Sequence, residues 1–94
     1  MAITRFEWDL SKDWANQEKH GVPFELAQYA FADPDRVVAE DVAHGRDEQR
    51  YFCFGKVEAR IMTVRFTYRE KVIRIFGAGY WRKGKTIYDK ENGL

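Results

Sequence analysis

The spacing of apolar side chains changes once along this sequence, at Asp33-Pro34, and that change decides the fold class. Upstream, Leu10 and Trp14, then Phe24, Ala27 and Phe31 with Leu26 and Ala30 beside them, recur at three- and four-residue intervals. That is the repeat of helices that bury one stripe. Downstream the period is two, through Val37–Val42, Arg50–Val57, Arg60–Arg69 and Val72–Tyr80, the repeat of strands with one face turned inward. Ile3–Trp8 also alternates and is rich in β-branched and aromatic residues. The predicted order is strand, helix, helix, then a four-stranded antiparallel meander, an α+β arrangement.

Local signals set the boundaries. Asp9 or Ser11 can accept hydrogen bonds from the free N–H groups that open a first helix, and Gly21 suits the residue that closes it. Pro23 fits the first turn of a second helix, which Asp33-Pro34 stops. Trp8 and Trp14 are expected as packing anchors, and the helices are expected to dock through Trp14, Phe24, Ala27 and Phe31. In the strand Arg60–Arg69, Met62, Val64, Phe66 and Tyr68 share a face suited to burial. Thr63, Arg65, Thr67 and Arg69 share the other, expected to be wet. The tail Arg82–Glu91 predicts a short C-terminal helix interrupted at Gly84.

Residues 1–94 are enough for one domain, and an apolar fraction of 45% with 16% aromatics supports a core rather than disorder. The sole cysteine, Cys53, lies in an apolar run, with no CxxC partner for a metal and none for an internal disulfide, which suits a reducing cytosol. Arg5, Glu7 and Asp9 interrupt the N-terminal segment, and no run of roughly 18 uncharged apolar residues occurs, so neither a secretory signal nor a membrane contact is expected. The net charge of +1 conceals a division. Residues 1–55 hold 6 Lys/Arg against 11 Asp/Glu, a balance of −5, whereas residues 56–85 hold 9 against 2, a balance of +7. The second stretch is either a polyanion-binding surface or a set of ordinary solvated strand faces.

Phe6-Glu7-Trp8-Asp9, Lys12, Ala15-Asn16, Lys19-His20-Gly21-Val22, Phe24-Glu25, Ala27, Phe31 and Asp33-Pro34 follow one another at the spacing of the BrnT toxin family's N-terminal signature. Glu48-Gln49-Arg50-Tyr51 before a strand ending in Gly55, and Ile73-Arg74-Ile75 before Ala78, are similar to its later strands. The resemblance runs from about Phe6 to Ala78. It implies a RelE-like fold, cleavage of mRNA, free or ribosome-associated, that inhibits translation, and neutralisation by a cognate BrnA-type ribbon-helix-helix antitoxin. DNA would be reached only through that antitoxin. Where such toxins follow Ala78 with adjacent basic residues and an Arg-rich helix, this chain has Gly79-Tyr80-Trp81-Arg82-Lys83-Gly84-Lys85. A second reading is therefore a toxin homologue of weakened activity that serves as a binding module in operon autoregulation.

RNA cleavage through the 2′-hydroxyl needs a base, an acid and cations for the charge building on the phosphate, and no metal or other cofactor. Arg65, Arg74, Arg82 and Lys85 are the cationic candidates, because such side chains grip phosphate. Each could instead pair with Glu58, Glu70 or Asp89. Tyr80, Trp81 and Tyr88 could stack unpaired bases or form the rim of a partner interface, and Lys83 extends the basic stretch. Imidazole is the side-chain type that changes charge near neutral pH, which makes His20 a candidate, but at a helix C-terminus Lys19-His20 also answers the helix dipole. His20 and His44 are isolated, so no metal-ligand spacing is present. The wet face bearing Arg65, Arg69 and Arg74 is expected to serve RNA and antitoxin alike.

Overall fold

The computed structural model describes residues 5–94, so Ile3 and Thr4 of the expected first strand lie outside the described residues. The elements are β1 (Arg5–Trp8), α1 (Leu10–His20), α2 (Phe24–Ala27), a 3-10 segment Gln28–Ala32, β2 (Val37–Glu40), a 3-10 turn Val42–His44, β3 (Tyr51–Val57), β4 (Arg60–Arg69), β5 (Val72–Gly79) and α3 (Arg82–Glu91). Asp9 caps α1, its carboxylate accepting from the N–H groups of Ser11 at 2.8 Å and Lys12 at 3.3 Å. Gly21 closes α1 in the left-handed conformation, φ 68°, its N–H donating to the Gln17 carbonyl. The second helix is shorter than the apolar stripe predicts. Only Phe24–Ala27 is α-helical, and the stripe continues to Ala32 with the tighter 3-10 winding.

The five strands form one sheet in the order β1-β5-β4-β3-β2. β2 to β5 make an antiparallel meander, and β1 joins it parallel to β5, pairing Arg5–Trp8 with Val72–Ile75. The sheet is therefore mixed: the helical segment after β1 covers one face, and the chain returns at the far edge with β2.

That covered face holds the larger core, with Val22, Phe24, Ala27 and Ala30 packed on Cys53, Val64, Phe66 and Ile75. Trp8 joins it edge-on to Phe24, and Phe31 meets both Phe6 and Phe66. Two side chains expected inside are outside. Trp14 is 67% exposed because it faces away from the sheet with Leu10, and Tyr68 is 52% exposed near the end of β4, beyond the helical layer.

The opposite face is not left wet. α3 packs across β3 and β4 and forms a second core of Phe54, Ile61 and Tyr88 with Phe52 and Ile87. α3 runs unbroken through Gly84, contrary to the interruption expected there. A Cβ on Gly84 would fall 2.0 Å from Thr63 Oγ1 and 3.1 Å from the Phe54 ring, so the missing side chain is what lets the helix lie on the sheet. Thr63 is consequently buried, and Thr67 is buried further along β4, its hydroxyl donating to the Gln49 carbonyl. Asp33 ties the layers: it accepts from Lys56 N–H at 2.7 Å and from the Tyr88 hydroxyl at 2.7 Å. Among the described residues no helix is long and apolar enough to cross a membrane.

Candidate functional site

A cleft of about 350 Å³ opens where α1 passes the C-terminal half of β5. The helix contributes Lys12, Ala15, Asn16, Lys19 and His20, residues three and four apart and hence on one face. Arg50, Arg65, Phe76, Gly77 and Trp81 form the opposing wall. Four permanent cations and a histidine line this cleft, and no carboxylate does. None of the four is within ion-pair distance of an acid among the described residues.

Asn16 holds the two walls together. β1 ends at Trp8 opposite Ile75, leaving the outer edge of β5 open beyond that point. The Asn16 carboxamide continues the pairing: its Nδ2 donates to the Ala78 carbonyl at 2.9 Å and its Oδ1 accepts from the Ala78 N–H at 3.2 Å. Nδ2 also donates to the Val22 carbonyl at 2.8 Å, so one buried side chain fixes α1, the turn after it and β5.

A bulge then shapes the floor. Arg65 pairs with Gly77 but Phe66 pairs with Ile75, so the register skips Phe76. Such an extra residue re-aims a side chain, and here the Phe76 ring lies in the cleft. The Arg50 Cζ stands 4.5 Å from its centroid and the Lys12 Nζ 5.2 Å. Arg50 is half-buried, and its Nε is buried with no hydrogen-bond partner. A buried donor of this kind is costly unless an acceptor fills it, and on a guanidinium the fitting acceptor is an anion.

Trp81 forms the last part of the wall. A Cβ on Gly79 would meet its ring at 2.6 to 3.0 Å, so the glycine makes the space in which the indole lies against β5. His20 approaches edge-on, ring centroids 5.0 Å apart. Lys19 and His20 occupy the last turn of α1, so their dipole role and their position at the cleft coexist.

Of the side chains proposed from sequence, Arg65, His20 and Trp81 come together here, and the others lie elsewhere. Arg74 is half-buried and pairs with Glu7 of β1 at 3.4 Å, while Arg69 pairs with Glu48 at 3.0 Å. The single basic face expected across Arg65, Arg69 and Arg74 is thus divided: acids neutralise two of its members, and α3 covers the strand beside the third. Tyr80 is half-buried beneath the Arg60 guanidinium, and burial, then the Glu58 charge, raise its phenol pKa. Arg82 and Lys85 line a separate pocket, where Lys85 pairs with Asp89. Lys83 borders an apolar groove formed with Phe52, Phe54 and Ile87. Tyr88 is buried, and burial together with its bond to Asp33 pushes its pKa to about 12. Cys53 is no nucleophile, since burial raises its thiol to about 12.

Lys12, Asn16, Arg50 and Phe76 were missed as site residues. The helical spacing of Lys12, Asn16, Lys19 and His20 carries a signal for α1, but Arg50 and Phe76 meet only through the register of three strands.

Among curated proteins, none matches the chain. Residues 8–84, which hold every residue of the cleft, match the family model of the ribonuclease toxin, BrnT, of type II toxin-antitoxin systems. The chain belongs to that BrnT toxin family, whose members are ribonuclease toxins held in check by an antitoxin.

Proposed function

We propose that this protein is an endoribonuclease that cuts mRNA in the cytoplasm and thereby stops translation, with the cleft between α1 and β5 as its active site. The carboxylate-free ring of Lys12, Lys19, Arg50 and Arg65 carries the reading. Cations placed where phosphate charge builds supply what a metal would otherwise supply.

In this reading the scissile phosphate lies against Arg50 and Arg65. The 2′-oxygen attacks phosphorus, its proton passes to a base, and the bond to the 5′-oxygen breaks as that oxygen takes up a proton. The products are a 2′,3′-cyclic phosphate and a 5′-hydroxyl. His20 supplies the imidazole at the cleft, a side chain that can both take and give a proton. Trp81 and Phe76 offer ring faces to the flanking bases. The α+β layout, with its meander and its α3 cover, is read as RelE-like. A BrnA-type ribbon-helix-helix antitoxin is the expected partner, which would silence the toxin and connect it to operator DNA.

The test is cleavage of single-stranded RNA in excess EDTA by the purified chain and by Arg65→Gln. The proposal expects cutting by the first and at least about a hundred-fold loss in the second, within the range typical of a deleted transition-state contact, at unchanged melting temperature. A chain that binds antitoxin but leaves RNA intact would instead be the binding module.

A further inference from the structure

A second basic pocket adjoins the cleft and is not used by the reaction just described. It encloses about 420 Å³, within the range of sites that hold small organic ligands, and Lys56, Arg60, Tyr80, Trp81, Arg82 and Lys85 line it. Trp81 lines both cavities and so stands between them.

Its chemistry repeats that of the cleft. Lys56, Arg60 and Arg82 have no acid within ion-pair distance among the described residues, and Asp89, the one acidic side chain in the lining, is engaged by Lys85. The Arg60 guanidinium lies 3.9 Å above the centre of the Tyr80 ring. A guanidinium held flat on an aromatic face keeps its N–H edges free for phosphate oxygens. The backbone that presents Arg60 is strained: Glu58 and Ala59 turn the β3–β4 hairpin with φ of 51° and 66°, left-handed values at two residues that are not glycine.

We propose that this pocket is a second subsite for the same RNA strand, taking a phosphate and base on one side of the cut. The inference rests on the ribonuclease reading but adds a site to it. Catalysis at the cleft does not need the second pocket; affinity for a long strand does. RNA of about four nucleotides fills the cleft alone, whereas RNA of about twelve engages both sites.

The experiment measures binding of 2′-O-methylated, uncleavable single-stranded RNA of these two lengths by the intact chain and by Lys56→Gln/Arg60→Gln, across a salt series. Each lost phosphate contact lowers the slope of log K against log salt by about 0.7 for a single strand. The double variant should therefore lose about 1.4 in slope and about ten-fold in affinity for the long strand. It should bind the short strand, and cleave its unmethylated form, as the unaltered chain does. Lys56→Gln alone, at an exposed position, should show half the change in slope. Equal loss for both lengths, or no loss for either, overturns the subsite while leaving the ribonuclease reading intact. An unaltered chain that binds neither length overturns both.

Discussion

Replacing Asn16 with alanine removes three hydrogen bonds at once and strands their partners in a buried layer: the N–H and C=O of Ala78 and the C=O of Val22. A buried polar group left without a partner costs about 1–3 kcal/mol. Each carbonyl keeps a second lone pair, so the lower part of that range applies to two of the three groups, and the total comes to about 3–5 kcal/mol. A chain of 94 residues is stable by roughly 5–14 kcal/mol, so the variant loses about a fifth of its stability or more. Its melting temperature should fall by about 15–30 °C. Asn16→Asp separates shape from bonding: it keeps the volume but turns an acceptor oxygen toward two carbonyls. Burial among acceptors raises the folded-state pKa of that new acid, so the variant is least harmed below the ordinary carboxylate range, about pH 4, and loses stability as pH rises through the raised value. Urea denaturation at two pH values measures both effects. A loss below about 1 kcal/mol for Asn16→Ala would refute the argument that this carboxamide completes the edge of β5.

Gly79→Ala places a methyl within 2.6 Å of the Trp81 ring and must swing the indole away from β5. RNA binding should weaken about ten-fold or more while the melting temperature changes little, since stacking on one aromatic contributes about 1–3 kcal/mol; fluorescence of Trp81, with Trp8 and Trp14 replaced, reports the movement. Glu58→Asn/Ala59→Gly supplies the residues that a two-residue hairpin with both φ values positive favours, and should stabilise the fold by about 1–2 kcal/mol in thermal melts. For Asp33, burial pulls the carboxyl pKa upward, but hydrogen bonds from Lys56, Asp35 and Tyr88 outweigh it, and the net shift is downward. Its stabilisation is therefore complete above the unfolded value of about 4 and is lost as pH falls through the lower folded value; Asp33→Asn should flatten that acid limb.

The fold was legible where one local signal governs one element. The period of two set β4 at Arg60–Arg69 to the residue, and Asp9 and Gly21 bounded α1. It was not legible where a distant element decides. Trp14 reads as an anchor by spacing but points off the sheet, because Val22 and Phe24 already fill the layer beneath α1. Gly84 reads as a helix breaker and is instead a contact point, since only the position of Thr63 in the folded sheet gives the missing side chain its use. The site divides in the same way. Summed along the chain, charge pointed to residues 56–85, yet three of the four permanent cations of the cleft, Lys12, Lys19 and Arg50, come from the acidic first half. Folding also spent Arg69 and Arg74 on Glu48 and Glu7. Charge counts lack the pairing information that decides which cations stay free.

In the proposed mechanism cations, not a metal, stabilise attack by the 2′-oxygen in the cleft between α1 and β5, and the ends of the cleaved RNA report on that step. Mass spectrometry of fragments formed in excess EDTA should find 2′,3′-cyclic phosphate and 5′-hydroxyl termini, absent when Arg50 and Arg65 are both replaced by glutamine. Fragments ending in 5′-phosphate, cutting that stops on chelation, or undiminished cutting by the double variant would contradict it.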